Sequence, residues 1–205
     1  MKIRQASQED ADTVAQLIFS SAPLALAATF DINDELSAVN FLKFSLCAAN
    51  GQYGYANHWV AYINNQVVGC LSPWHSDFPD SFHKATLINL ADFYGIAHVL
   101  SVVQASQALY DCIPKPKINE YCIGHFAVLT QYQRQGVATA LLKFSHKQAL
   151  KFGKSALCLD VEKTNSQAIN FYLGQGFVQE SQSDISPRMQ VLGIGSHLHL
   201  SKKLI

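Results

Sequence analysis

The stretch from Phe126 to Leu142 limits what this chain can fold into more than any other. It begins as an apolar, β-rich run ending at Val128, passes through a polar loop, and becomes helical at about Gly136. From there Ala138, Leu141, Leu142, Ser145, Ala149 and Phe152 recur at helical spacing on one small or apolar face. Lys143, Lys147 and Lys151 form the opposite, solvated stripe. A loop that feeds free backbone N–H groups into a helix N-terminus attracts anions through those donors and through the helix dipole. Gly136 lets a phosphate reach the backbone with no Cβ in the way, and Ala138 is nearly as permissive. Two common phosphate loops are excluded. No Gly-Lys-Ser/Thr closes this one, and no Gly-x-Gly-x-x-Gly lies between Val128 and Ala140.

Gln133-x-x-Gly136-x-Ala138 resembles the acyl-CoA pyrophosphate signature of the GNAT acetyltransferase superfamily, Gln/Arg-x-x-Gly-x-Gly/Ala. Phe126-Ala127-Val128 and Tyr132 also sit where that family has such residues. Downstream, Leu159 to Tyr172 and then Gly176-Phe177 resemble the family's second half, so the likeness is sharp over about 119–180. The resemblance implies a mixed α/β (α+β) fold: a mostly antiparallel central sheet of about seven strands flanked by helices. It further implies acetyl-CoA, or another acyl-CoA, as co-substrate. Val128 would pair with the pantetheine arm as an added strand would, beside Ala127. Gln133, Arg134, Gln135, Gly136, Val137 and Ala138, with Thr139, would wrap the pyrophosphate. A glutamine at 133 in place of the commoner arginine leaves less charge at the phosphates.

At 205 residues and 49% hydrophobic the chain can bury a sizeable core, and a single domain over 1–205 is expected. Fifteen basic and fifteen acidic residues cancel, which disfavours nucleic acid or anionic membrane as partner. We read no 18-residue apolar span and no signal-peptide core at Met1-Lys2-Ile3-Arg4-Gln5, and expect a soluble, cytoplasmic protein. The partners expected are a small-molecule or peptide amine, with a homodimer left open. Five cysteines at 47, 70, 112, 122 and 158 contain no Cys-x-x-Cys, so no disulfide or metal framework is expected. Cys70, Cys122 and Cys158 read as small core residues. His197-x-His199 places both rings on one face of a strand, which is often the solvent side.

Along the chain, Ile3 to Ala6 reads as a strand, followed by a helix opened by Ser7. A second helix is expected from Asp34-Glu35 to Leu46, ended by Asn50-Gly51. His58–Ile63 and Gln66–Leu71 flank Asn64-Asn65 as a hairpin. Residues 72–118, broken by prolines at both ends, read as a helical insertion before the fourth strand, with Ile96 to Tyr110 helically spaced. Gly176 stops a helix, and strands follow at about 177–181 and 196–202.

Transfer of an acyl group from a thioester to an amine needs a neutral nucleophile, a polarised carbonyl and a proton for the departing thiolate. Asn165, Ala168 and Tyr172 share a helix face, and small Ala168 leaves room for a pantetheine arm. In the family this segment resembles, a tyrosine at the Tyr172 position often protonates the thiolate. Three groups compete as base. Asp160 lies on a strand opposite Leu159 and Val161; Glu120 alternates with Cys122, Gly124, Phe126 and Val128; His125 points the other way. The expected activity is an N-acetyltransferase acting by direct attack in a ternary complex. The alternative is an inactive acyl-CoA-binding sensor of the same fold.

Overall fold

The computed structural model describes residues 1–110 and 113–204. Cys112 therefore lies outside the described residues. Strands β1 (Lys2–Gln5), β2 (Trp59–Ile63), β3 (Gln66–Trp74), β4 (Glu120–Val128), β5 (Ala156–Glu162), β6 (Val178–Gln182) and β7 (His197–Lys203) form one sheet. Its order is β1-β2-β3-β4-β5-β7-β6. Only β4 and β5 run parallel; the other neighbours are antiparallel. Asn64 and Asn65, at φ 48° and 62°, close the β2–β3 hairpin as the sequence suggests.

One face of the sheet is covered by α1 (Ala11–Ser21), α2 (Pro23–Phe30), α3 (Ala38–Leu46) and α4 (Asp80–Tyr110). Val14, Ile18, Phe30, Phe41, Leu42 and Tyr53 pack there against Val60 and Cys70. The other face is covered by α5 (Val137–Lys151) and α6 (Ser166–Gly174), with Leu141, Leu142 and Tyr172 against Val68, Tyr121, Leu157 and Leu200. A short helix α7 (Pro187–Val191) follows β6.

Several expectations need correction. The helix expected from Asp34 begins at Ala38, where the Ser37 side chain caps Asn40 N, because Asn33 Oδ1 ties Glu35 N and Leu36 N into a turn first. Pro73 lies inside β3, opposite Ile123. The β2–β3 pairing has ended by Trp59↔Leu71, so no ladder on that side misses its N–H. The insertion is mostly one long helix, α4, broken at Gly95 (φ 64°). By length and composition α4 is apolar enough to cross a membrane, against our reading that no such span exists. Its residues Leu90, Tyr94 and Val102 instead join the core on the α1–α3 side. Cys122 and Cys158, expected as small core residues outside any disulfide framework, face each other in the parallel register and form a disulfide (Cα–Cα 4.4 Å).

Candidate active site

The β4–β5 pair supplies the cleft. It is in register from Glu120↔Ala156 to Ile123↔Leu159, and stops there. Beyond that point β4 stays with β3 as far as Val128↔Gly69, while β5 stays with β7 as far as Glu162↔His197. The two strands diverge, leaving the β5-facing edge of Gly124–Val128 open for an extended ligand to pair with.

A β-bulge at the mouth of this split re-aims β4. Ser72 faces Gly124 but Cys70 faces Ala127, so β4 carries one extra residue, and His125 takes a left-handed φ of 48°. Alternation on β4 therefore breaks. Tyr121 and Ile123 pack with Phe126 and Val128 on the α5 side, while Ala127 packs with Cys70 on the α1 side. The sequence expectation that Phe126 and Val128 share a face with Glu120 and Cys122 is wrong for this reason.

At the far end of β4 the loop reaches α5. Gly136 caps it at φ 81° and Arg134 sits at φ 59°, both left-handed. A Cβ built on Gly136 meets no protein atom within 4 Å, so its backbone faces open space. Among the described residues no protein acceptor meets the N–H of Arg134, Gln135, Gly136, Val137, Ala138 or Thr139; the helix begins with Ala140 N to Gly136 O at 3.0 Å. These donors converge on the helix N-terminus, where an anion is favoured by hydrogen bonds and dipole alike. Gln133 Nε2 donates back to Val128 O (3.3 Å), and the Arg134 side chain is exposed.

At its inner end the split opens into a cavity of about 390 Å³ on the α1–α4 side. Its walls combine Phe30, Tyr53, Trp74 and Tyr110 with Ile123–Phe126 of β4, Leu159–Glu162 of β5 and Asn165, Ala168 and Tyr172. Tyr172 is 8% exposed, its ring against Phe126 (6.2 Å) and Phe177 (5.8 Å). Burial pushes the phenol well above its ordinary range, so it holds its proton. The Asn165 carboxamide accepts from Ala168 N at 3.1 Å, capping α6 beneath the cavity.

The three candidate bases separate in space. Glu120 is 3% exposed, accepts from Lys117 N (2.7 Å) and pairs with Lys117 Nζ (2.9 Å), and does not line the cavity. Glu120, Glu180 and His199 bring ligand atoms within 4.8 Å of one another, and the Lys117 ammonium bridges both glutamates. Asp160 lines the cavity, but its Oδ1 is held by His199 Nδ1 at 2.9 Å, and this hydrogen bond raises the imidazole pKa. His199 is thus buried, not solvent-facing, because β7 lies between β5 and β6. His125 lines the cavity as well, with Nδ1 against His58 Nε2 (3.1 Å) and Ser72 Oγ (3.2 Å). Glu162 had escaped sequence reasoning. Half-buried on the cavity wall, its carboxylate makes no ion pair among the described residues. The only signal was its alternation with Asp160.

The profile of the acetyltransferase (GNAT) family matches residues 36–177. The chain belongs to the GNAT acetyltransferase family. Its fold is similar to that of an N-acetyltransferase from Staphylococcus aureus, at 20% identity and TM-score 0.69 over 98% of this chain and 100% of that one. It is also similar to YncA of Salmonella typhimurium, an acetyltransferase candidate solved with acetyl-CoA (15% identity, TM-score 0.55, 100% and 94% covered). A third likeness is to the PaiA N-acetyltransferase of Thermoplasma acidophilum solved with coenzyme A (16%, 0.55, 98% of each chain). A comparison with curated protein sequences gives no match. GNAT membership carries acyl-CoA-dependent acetyl transfer as the general activity.

Proposed function

We propose that this GNAT protein moves acetyl from acetyl-CoA to a primary amine by direct attack in a ternary complex. The observation that carries the reading is the continuity of three features. Unpaired amides at Arg134–Thr139 lead along the open edge of β4 to a cavity that holds Tyr172. The pyrophosphate would take the amides, the pantetheine the open edge at Ala127 and Val128, and the thioester the mouth of the split. There the amine nitrogen bonds to the carbonyl carbon, the C–S bond breaks, and Tyr172 gives its proton to the sulfur. The phenol suits this role because it is protonated at neutral pH, faces the cavity and has a hydroxyl with no hydrogen-bond partner among the described residues. Aromatic walls and the unpaired Glu162 carboxylate favour an acceptor with an apolar body and a cationic head, as a small molecule or a peptide end.

The test is thiol release from acetyl-CoA across a panel of primary amines and amino-terminal peptides. Turnover with an amine supports the proposal. Tight acetyl-CoA binding without turnover on any acceptor would make the protein an acyl-CoA-binding module instead.

A further inference from the structure

Two histidines at the β4 bulge, one buried and one half-buried, form a chain whose hydrogen positions are fixed by its far end. His58 is fully buried, and its Nδ1 lies 2.9 Å from the Gly54 carbonyl oxygen. A carbonyl only accepts, so that nitrogen carries the hydrogen, and a neutral His58 then presents a bare Nε2. His125 Nδ1 lies 3.1 Å from that bare nitrogen, so it must in turn be the protonated one. The hydrogen is left on the inner side of His125, shared with Ser72 Oγ at 3.2 Å. Its Nε2 consequently bears a lone pair and has no partner among the described residues, on a ring that lines the cavity. Tyr53 stacks on the ring at 5.3 Å and Cys70 Sγ donates to the His125 carbonyl (3.3 Å), which locks residue and backbone together.

We propose that His125 is the general base of the transfer and that His58 is the residue that positions it, by holding its tautomer. The inference rests on the acetyl-transfer reading above. As the amine nitrogen bonds to the thioester carbon, one N–H proton passes to His125 Nε2. The C–S bond breaks, and the Tyr172 proton goes to sulfur. The proton on His125 then returns to the Tyr172 oxygen through solvent. Asp160 is already engaged by His199 and Glu120 by Lys117, whereas His125 offers an unused acceptor. Burial, with the second ring beside it, lowers the His125 pKa to about 3 and burial lowers that of His58 to about 4. The resting pair is therefore neutral and the lone pair always available, while the oxyanion developing on the thioester supplies the charge that stabilises the proton once taken. The ionisable side chains packed on the pair, Tyr53 and Cys70, are both pushed up by burial and stay neutral with it.

Ring ¹⁵N spectra of the free protein at neutral pH read the tautomers without any substrate. The hydrogen should be on Nδ1 of both His58 and His125; a proton on His125 Nε2, or a charged ring, overturns the proposal. For the chemistry, His125→Gly is the informative variant, since glycine accepts the left-handed φ and leaves an imidazole-sized gap. With phenethylamine as probe amine, or water where that amine does not react, thiol release should fall about 10²–10⁴-fold. Added imidazole should restore part of it. His58→Leu should lower kcat with the KM for acetyl-CoA unchanged, and His58→Gln, which keeps an acceptor oxygen, should recover some of that loss. Full turnover in His125→Gly removes the base while leaving acetyl transfer intact. Absence of any thiol release from the wild type instead removes the acetyl-transfer reading, and the ring spectra still judge the pair.

Discussion

At the α5 end of the cleft, the free polar groups are backbone amides from one short run, Arg134–Thr139, an exposed loop and the first turn of α5. At the inner end they are side chains brought from α2, α4, β4, β5 and α6, a mixture of aromatic, aliphatic and polar groups. The difference is one of recognition. Backbone donors at a helix start suit a phosphate group that every acyl-CoA shares, and they tolerate changes in neighbouring side chains. A cavity of side chains discriminates by shape and polarity, so under the proposed function it would set which acceptor enters. Losses at the first end should appear in cofactor affinity, and losses at the second in turnover.

The largest separation is expected from Tyr172→Phe. It keeps the ring contacts with Phe126 and Phe177 but removes the proposed acid, so kcat should fall about 10²–10⁴-fold. The acetyl-CoA dissociation constant, by calorimetry, should not move. Turnover close to that of the wild type would retire Tyr172. Gly136→Asp should do the converse. The protein leaves open space there and aspartate tolerates a left-handed φ, so folding should survive while a carboxylate would meet the proposed pyrophosphate position. Affinity should weaken about a hundredfold, from roughly 3 kcal/mol of lost charge-assisted hydrogen bonding. Gln133→Arg, which adds an exposed charge beside the same loop, should tighten binding by no more than about fivefold and lose that gain in high salt.

The smallest effect concerns stability, and it contrasts two histidine pairs. His58 and His125 have lowered folded pKa values, so the unfolded chain binds more protons than the folded one below about pH 6.5. Their contribution is present above that pH and lost on acidification. His199 is raised by Asp160, so its contribution is full below about pH 6.5 and fades as pH rises through the raised value. Asp160→Asn should accordingly lower the melting temperature below about pH 6.5 and remove the decline above it, while keeping the acid-side slope that His58 and His125 set. Loss of that slope as well would show that the two pairs are not electrically separate.

The same contrast explains what could be read in the sequence. The loop, Gly136 and the α5 pattern are contiguous, so spacing alone reveals them. The hairpin at Asn64-Asn65 was legible for the same reason. Helix α2 was not, because Pro-Leu-Ala-Leu-Ala-Ala-Thr-Phe has no polar face to set a period. The bulge at His125 leaves no trace in alternation, since one extra residue is visible only against β3. The pairings of Cys122 with Cys158, of Asp160 with His199 and of His58 with His125 all depend on strand register across long sequence gaps.

The proposed function requires one acyl-CoA to span the cleft, phosphates on the loop and pantetheine along β4. A titration of ¹⁵N-labelled protein with CoA, following backbone amide resonances, tests it most directly. Arg134, Gln135, Gly136, Val137, Ala138 and Thr139 should shift most, together with residues along the open edge of β4 from Gly124 to Val128. Saturation with those resonances unmoved, and shifts confined to another surface, would place the cofactor outside this cleft.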